Sequence, residues 1–240
     1  MKLFSTIKKE KEYWLVDQVK QPVVSERDYE ETFQELLREW NHKEVDYLSL
    51  LMDETFEVWL LKKGFHKVSV IVEYTVDLHP IHMQRPDISS MILADSEMTD
   101  ETFAHLYEQC RSGSANKNIL FTIEQIMESF ELELGPDWRS HCMIFQKEDQ
   151  PVGISIPHIE PGTKEEGRLF YFGILPKWRG KGVGTVCHQH SLEALKGFGA
   201  TYYVGSTDAA NAGMIRIFEN NGCVLRDRKG IYRIDRPRTV

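Results

Sequence analysis

The segment that decides the fold is residues 175–184, which read Leu-Pro-Lys-Trp-Arg-Gly-Lys-Gly-Val-Gly. The apolar run before it, residues 169–174, predicts a buried strand, and residues 185–198 after it predict a helix. A glycine-rich turn between a strand and a helix attracts anions, because its backbone N–H groups and the helix dipole both favour negative charge. Glycine also lets a phosphate approach the backbone closely. Together with the cationic side chains of Arg179 and Lys181, the segment predicts a site for a diphosphate.

The spacing of the glycines excludes two common phosphate loops. A P-loop requires Gly-x-x-x-x-Gly-Lys-Ser/Thr, but Gly180 and Gly184 enclose too few residues and no Lys-Ser/Thr pair follows. A Rossmann turn requires Gly-x-Gly-x-x-Gly, and here the third glycine comes too early. Residues 179–184 instead fit the pattern Arg-x-x-Gly-x-Gly after a strand that ends in an apolar residue and proline.

This pattern resembles the acyl-CoA loop of the GNAT N-acetyltransferase superfamily. A second similarity follows at the separation that the family shows. After a strand-like segment at 201–205, residues 211–223 resemble the family's Asn-capped helix that ends near glycine. The resemblance implies an α/β fold, the GNAT acyl-CoA N-acyltransferase fold with a mixed sheet flanked by helices. It also implies acetyl-CoA as the co-substrate.

The resemblance assigns roles by position. The glycine loop would hold the diphosphate, and the strand before it would pair with the pantetheine like an added strand. The backbone of Ile174 and Leu175 would pair with pantetheine or polarise the acyl carbonyl, and Asn211 would lie near the pantetheine or the thiol. A free amine would then attack the thioester directly, without a covalent enzyme intermediate. The positions expected to bind cofactor are Ile174, Leu175, Arg179, Gly180, Lys181, Gly182, Val183, Gly184, Thr185 and Asn211.

The acid and the base are less well defined by the pattern. Many family members have a Tyr where this chain has Phe218, which has no proton to give. Either the thiolate leaves unaided or another donor serves, with Tyr171, Tyr202 and Tyr203 as candidates. Some members use a Glu near the start of the strand before the loop as the base. Glu166 is therefore the expected catalytic residue, the alternative being a solvated loop carboxylate.

Histidines offer further candidates. His190 falls on an apolar stripe of the predicted helix and is expected to lie in or next to the core, whereas His188 is expected to be exposed. His141 and His158 fall on predicted strands, from which they can face an acceptor cleft. No cluster of His, Cys and Asp in the sequence indicates a metal site.

The N-terminal part of the chain repeats the C-terminal pattern when the sequence is shifted by 158 positions. Residues 13–16 then align with 171–174, and the helix-like residues 28–40 align with 186–198. The alternative is chance similarity between two strand–helix–strand–helix segments. The repeat predicts that a GNAT-like framework occurs twice in this chain.

The glycine loop is the part that does not repeat. Its counterpart, residues 21–26, reads Gln-Pro-Val-Val-Ser-Glu and contains no glycine. Pro22 lacks a backbone N–H, and Glu26 would repel a diphosphate. We therefore expect residues 1–82 to be a degenerate half-GNAT-like region and residues 83–240 to be a complete GNAT domain. The boundary is placed in the proline-bearing stretch 79–86.

The middle of the chain completes the order of elements expected for the C-terminal domain. Residues 91–94 predict its first strand. Thr99 and Thr122 predict the starts of two helices, and residues 148–151 predict a hairpin turn between two strands. The expected order is β-α-α-β-β-β-α-β-α-β, which is the GNAT order.

Composition limits the class of protein. The 240 residues have 41% hydrophobic and 28% charged side chains and a formal net charge of −8, which disfavours general nucleic-acid binding. No signal peptide and no run of about 18 apolar residues appears, so neither secretion nor membrane insertion is expected. The four cysteines lack metal or redox spacing, which fits a reducing cytoplasm. The oligomeric state stays open, with a homodimer among the options.

The main hypothesis is an N-acetyltransferase that moves acetyl from acetyl-CoA to a small-molecule amine or a peptide amine. A second hypothesis is a catalytically lapsed acyl-CoA-binding, sensing or scaffold module, which Phe218 keeps open. A third is a nucleotide-binding protein. The sequence does not identify the acceptor amine.

Overall fold

The computed structural model describes residues 2–78, 87–115 and 122–236. These residues form two compact units: unit 1 comprises residues up to 72 and from 227 onward, and unit 2 comprises residues 73–226. The expected boundary between residues 82 and 83 lies outside the described residues, so the division into 1–82 and 83–240 stays a prediction. The two units divide instead between residues 72 and 73 and between residues 226 and 227, each time within a long strand.

Unit 1 contains a mixed sheet with strand order β1-β2-β3-β10-β4. β2 runs parallel to β3, whereas β1 and β10 are antiparallel to their neighbours β2 and β3. The helix α1 buries Tyr29, Phe33, Leu37 and Trp40, which recur at helical spacing and pack with the apolar side chains of β3. The elements are β1 Phe4–Lys9, β2 Tyr13–Gln18, α1 Glu26–Asn41, β3 Tyr47–Met52, α2 Glu57–Lys62 and the unit 1 parts of β4 His66–Asp77 and β10 Val224–Asp235.

Unit 2 contains a mixed sheet with strand order β4-β9-β8-β7-β6-β5. β8 and β9 are parallel, and β5 to β8 are joined by antiparallel pairs. The helices α3 and α4 cover one face, with Phe103 and Phe130 in the core, and α5 covers the other with Val186 and Cys187. The elements are β5 Ser89–Ile92, α3 Asp100–Arg111, α4 Ile123–Leu134, β6 Met143–Lys147, β7 Gln150–Ile159, β8 Glu166–Ile174, α5 Val183–Gly197, β9 Tyr202–Asp208 and α6 Ala212–Asn220. The expected α/β class and the expected order of elements are both confirmed.

Local signals correctly located the starts of two helices. The Thr99 side chain accepts a hydrogen bond from the Thr102 backbone N–H, which caps α3. Thr122 and Gln125 form a capping box at the start of α4. The strand expected at residues 91–94 lies at Ser89–Ile92, and it ends two residues earlier than expected because Leu93 already starts a short 3₁₀ turn. None of the helices in the described ranges has the length and apolar character needed to cross a bilayer.

The repeat is visible in the bounds of the elements. Each half of the chain contains the succession strand, helix, strand, helix, strand. A shift of 158 positions places β4 on β10 residue for residue, and it brings α1 to within two residues of α5 at both ends. An unchanged offset over more than fifty residues is the pattern of a duplicated framework.

Candidate functional site

The two parallel strands at the centre of unit 2 diverge. β8 and β9 pair only at Glu166 with Tyr202 and at Gly167 with Tyr203. Beyond these positions a cleft of about 790 Å³ opens between them, which is called the β8–β9 cleft below. Its strand lining consists of residues 169–174 of β8 and residues 203 and 205–207 of β9. The remaining lining residues lie at the end of α3 and just after it (110 and 113–115), in the glycine loop and the start of α5 (179, 180, 182, 184 and 185), and in or just before α6 (211–214, 216–218 and 220). The corresponding strands of unit 1 stay paired over five positions, Tyr13–Asp17 with Tyr47–Leu51.

A β-bulge lies where the cleft begins. The register between β7 and β8 shifts between Ile156 and Pro157, so Phe170 has no opposite residue on β7. Because of the extra residue, the rings of Phe170 and Tyr171 both pack on the side of α3 and α4. The Tyr171 ring stacks on that of Tyr107 with centroids 4.1 Å apart. The bulge therefore bends β8 away from β9 and places two aromatic rings at the inner end of the cleft.

The backbone of β8 presents hydrogen-bonding groups to the cleft. The Leu175 N–H donates to the Val152 carbonyl of β7 at 2.9 Å. Backbone groups alternate sides along an antiparallel pair, so those of Phe172 and Ile174 point away from β7 and toward the cleft. The Ile174 carbonyl accepts from Arg179 Nε at 2.9 Å. The Ile174 N–H and both groups of Phe172 thus face the cleft, whereas the Leu175 N–H is used within the sheet.

The glycine loop leads into a helix whose start carries no side-chain cap. Gly180 and Gly182 have φ values of 72° and 76°, in the left-handed region that favours glycine. Gly182 is the N-cap of α5, and no side chain bonds to the first N–H groups of that helix. Backbone N–H groups at such a helix start can bind an anion, so the anion site stays a prediction.

The corresponding helix of unit 1 supplies its own cap. The Ser25 side chain accepts from the Asp28 backbone N–H, and the Asp28 carboxylate accepts from the Ser25 N–H at 3.1 Å. These hydrogen bonds hold the pKa of Asp28 below its usual value, so the carboxylate stays charged. A fixed negative charge therefore occupies the end of α1 where an anion would otherwise bind. Along the five positions where β2 and β3 pair, the described part of unit 1 also has no opening like that between β8 and β9.

The two cationic side chains of the loop are placed differently from the expectation. The Arg179 guanidinium donates to three backbone carbonyls, those of Ile174, Cys110 and Gly113. Carbonyls at the end of a helix or strand lack partners within their own element, and the five donors of a guanidinium satisfy several of them together. The Lys181 ammonium lies 5.2 Å from the centre of the Trp178 ring. Arg179 thus holds α3 against the end of β8.

The third glycine of the loop lies close to α6. A Cβ atom on Gly184 would lie 2.7 Å from Ile217 Cδ1 of α6. Any larger residue here would therefore require the Ile217 side chain to move. Asn211 caps α6 as expected, because its side-chain oxygen accepts from the Met214 N–H at 3.2 Å. Of the expected cofactor-binding positions, those that line the cleft are Ile174, Arg179, Gly180, Gly182, Gly184, Thr185 and Asn211, and those that do not are Leu175, Lys181 and Val183.

Glu166, the expected base, is not among the residues that line the cleft. It lies where β8 and β9 are still paired, and 7% of its surface is exposed. One carboxylate oxygen accepts from Arg168 at 2.6 Å, and the other accepts from the Tyr202 hydroxyl at 2.9 Å. Tyr202 is likewise absent from the cleft lining, whereas Tyr171 and Tyr203 belong to it. This placement favours a structural ion pair for Glu166.

The prediction that His188 is exposed is wrong. His188 is fully buried on α5, because the buried face of that helix includes Cys187, His188 and Ser191. The Asn221 side-chain nitrogen lies 2.9 Å from His188 Nδ1 and donates to the Thr185 carbonyl at 3.1 Å. Burial lowers the pKa of His188 to about 3, so the ring is neutral.

Three aromatic rings of the cleft wall surround His188. The rings of Phe172, Tyr203 and Phe218 lie 5.5, 5.1 and 5.6 Å from the imidazole centre, all close to edge-on. Because the Asn221 amide donates to Nδ1, the ring proton is on Nε2, which has no hydrogen-bond partner in the described part of the chain. His188 thus packs against three aromatic side chains that line the cleft, without lining the cleft itself.

The other candidate histidines, His141, His158 and His190, are not among the residues that line the β8–β9 cleft. His190 is half-buried beside Ser90, and burial lowers its pKa, as expected for a residue at the edge of the core. His141 and His158 line a separate pocket. The described residues that line the β8–β9 cleft include no Asp, Glu or His. Within the described ranges, no group of three His, Cys, Asp or Glu residues is arranged to hold a metal ion.

The sequence reading missed several lining residues. Ser114 and Ala115 come from the loop after α3, Ser206 and Thr207 from β9, and Arg216 from α6. The small residues after α3 and the Ser-Thr pair on β9 were the available signals. Both are common in loops and strands, so they do not single out a ligand site by themselves.

Residues 101–223 match the sequence model of the GNAT acetyltransferase family. The chain belongs to this family. The matched range includes the glycine loop, residues 179–184, and the strands β8 and β9 that border the cleft.

Solved structures show the same fold along nearly the whole chain. A GCN5-related N-acetyltransferase from Sphaerobacter thermophilus has a TM-score of 0.72 at 14% identity, covering 97% of this chain and 76% of that one. A tandem GNAT protein from the clavulanic acid biosynthesis pathway has a TM-score of 0.59 at 14% identity, covering 93% and 75%. A GCN5-related N-acetyltransferase from Kribbella flavida has a TM-score of 0.59 at 11% identity, covering 94% and 82%. The similarity extends over the N-terminal half, which therefore also has a GNAT-like fold. No curated protein sequence matches the chain significantly.

Proposed function

We propose that this GNAT protein transfers the acetyl group of acetyl-CoA to a primary amine by direct attack. The observation that carries the proposal is the divergence of β8 from β9 beside a helix that begins without a side-chain cap. An open strand edge and a free helix N-terminus match the amide groups and the diphosphate of one extended ligand.

Each part of the site has a role in this proposal. The backbone N–H groups from Gly180 to Thr185 hold the diphosphate. The backbone of Phe172 and Ile174 pairs with the pantetheine amides, and an N–H of this strand stabilises the oxyanion as the amine nitrogen bonds to the acyl carbon. Arg179 keeps the strand end and α3 in place through its three carbonyl contacts.

The chemistry needs no covalent enzyme intermediate. The cysteine that lines the cleft, Cys110, is buried, and burial raises its pKa to about 12, so it is a thiol and a poor nucleophile. The amine attacks in its neutral form, the carbon–sulfur bond of the thioester breaks, and the proton lost by the nitrogen is balanced by protonation of the leaving thiolate. Phe218 cannot supply that proton, so Tyr171 and Tyr203 are the phenol donors among the described cleft residues. We place the reaction in the cytoplasm and expect no nucleic-acid partner.

Titration calorimetry tests the cofactor assignment. We expect one acetyl-CoA to bind per chain, and we expect neither ATP nor NAD to compete at equal concentration, because they lack the pantetheine that pairs with β8. CoA without the acetyl group is the matched control and should bind at the same site. Absence of acetyl-CoA binding would contradict the proposed function, and preferential ATP binding would favour a nucleotide-binding protein.

A catalytically lapsed acyl-CoA-binding module is the second candidate. The observation that favours it is the lack of a carboxylate or imidazole among the described residues of the cleft, together with Phe218. Release of CoA thiol with a panel of amines separates the two candidates. Turnover with any amine above the hydrolysis rate supports the enzyme, and binding without turnover across the panel supports the lapsed module.

A further inference from the structure

Unit 2 contains a second pocket, of about 330 Å³, lined by Glu133, Leu134, His141, His158, Ile159 and Phe198. It is called the His141–His158 pocket here. Phe170, which lines the β8–β9 cleft, lies with its ring 6.4 Å from the His158 ring. Pro157, the neighbour of His158, pairs with the cleft residue Leu169. The pocket therefore begins one aromatic ring away from the inner end of the cleft.

The pocket contains hydrogen-bond acceptors. His141 Nδ1 lies 3.0 Å from the Pro157 carbonyl, which can only accept, so Nδ1 carries a proton and donates. His158 is largely buried, and burial lowers its pKa, which favours the neutral ring with one lone pair. Glu133 adds a carboxylate to the lining. A ligand group that pairs with this carboxylate and this lone pair has to donate hydrogen bonds.

The charge around the pocket is negative. Glu160 Oε2 lies 3.7 Å from His158 Nε2 and 3.2 Å from Arg168 Nε. Arg168 also contacts Glu73 and Glu166, so one guanidinium is shared by three carboxylates. Arg226 is the other cation of this network and contacts Glu73 at 3.5 Å. The network and the pocket together contain four carboxylates, those of Glu73, Glu133, Glu160 and Glu166, and two guanidinium groups, those of Arg168 and Arg226. This excess of negative charge favours a cationic ligand.

An aromatic ring completes the pocket. Phe198 is 41% exposed, and its ring lies 5.3 Å from that of His141. An exposed ring face attracts an ammonium group and packs against methylene groups. The pocket thus combines lone pairs, negative charge and an aromatic face.

From this geometry we propose that the His141–His158 pocket binds the second ammonium group of a diamine acceptor. One amine nitrogen reaches the inner end of the β8–β9 cleft past Phe170, and the other is held between Glu133, the imidazoles and Phe198. The inference rests on the proposed function, because it identifies the class of amine that the same site accepts. The acceptor is thus an aliphatic diamine or polyamine.

Initial rates with putrescine and with butylamine test the proposal, because the two amines have the same chain length and differ by the second ammonium group. We expect KM for putrescine to be roughly fivefold below KM for butylamine, the upper end of what one partly screened charge pair contributes. Glu133→Gln should raise KM for putrescine severalfold and leave KM for butylamine unchanged. Glu131→Gln removes an exposed charge from the same helix outside the pocket and should change neither constant.

Titration calorimetry with putrescine, in the presence of saturating CoA, gives a readout that does not depend on turnover. Binding of putrescine that Glu133→Gln weakens and Glu131→Gln does not supports the pocket, even where no acetyl group is transferred. Equal affinity for putrescine and butylamine, or an unchanged preference in Glu133→Gln, overturns the inference while acetyl-CoA binding keeps the proposed function. Loss of acetyl-CoA binding in the wild-type protein overturns the proposed function, and the putrescine titration without CoA then decides the pocket separately.

Discussion

Gly182→Glu is expected to weaken acetyl-CoA binding by at least about a hundredfold. Gly182 has a φ of 76°, where a side chain with a Cβ costs roughly 1–2 kcal/mol. The new carboxylate would also lie at the uncapped start of α5, where the ligand diphosphate is proposed to bind, and the two anions would repel. The backbone strain and the repulsion between the anions together reach about 3 kcal/mol, which corresponds to about a hundredfold loss in affinity. Titration calorimetry measures the effect directly.

Two controls separate the causes of this loss. Gly182→Asn introduces a side chain that tolerates the left-handed region without adding charge, and it should lose about tenfold or less. Val23→Glu adds the same charge to the corresponding loop of unit 1, at a residue that is 87% exposed, and should leave binding unchanged. Residual stoichiometric binding in Gly182→Glu would show that unit 1 keeps a site of its own, contrary to the self-capped start of α1.

Acidification is expected to destabilise the fold through His188. The unfolded imidazole titrates near 6.5, whereas burial lowers the pKa of the folded one to about 3. Below the unfolded pKa, the unfolded chain binds a proton that the folded chain excludes, so stability is lost as the pH falls from about 6.5 toward 3. The loss at about pH 5 is roughly 2 kcal/mol relative to about pH 7.5.

His188→Gln tests this linkage. The glutamine side-chain oxygen can accept from Asn221, but the side chain does not titrate. We expect the variant to be less stable than the wild type at about pH 7.5, and the difference to shrink by roughly 2 kcal/mol at about pH 5. Urea unfolding at the two pH values measures both free energies, and His105→Gln, at an exposed position of α3, serves as the control. A difference that is the same at both pH values would mean that His188 titrates alike in the folded and unfolded chains.

Features with local causes were predicted well from the sequence. The glycines at 180 and 182 predict the turn before α5, because a left-handed backbone favours glycine at those positions whatever the rest of the fold. The caps at Thr99, Thr122 and Asn211 were correct for the same reason, since each depends on a side chain and an N–H two or three residues away. The repeat was also visible, because a duplicated order of elements keeps its spacing in the chain.

Features that depend on distant residues were not predicted correctly. His188 was placed on the surface because helical spacing gives the phase of a stripe only to within a residue, and the packing of α5 against the sheet selects the buried one. The two oxygens of Glu166 are held by Arg168 and Tyr202, and no pattern in the sequence indicates the Tyr202 contact.

Residues 175–184 illustrate which features the local sequence determines and which features depend on the tertiary structure. Their sequence dictates a glycine turn, an uncapped helix and hence an anion site, because these properties arise within a few residues. Whether that site has a ligand cleft beside it depends on the pairing of two strands. β2 and β3 stay paired and β8 and β9 separate after two positions, although both pairs follow the same order of elements. Strand pairing depends on residues that are far apart in the chain. The bulge at Phe170 is one example, because it is visible only in the register between β7 and β8. The tertiary structure alone therefore shows that β8 and β9 separate while β2 and β3 stay paired.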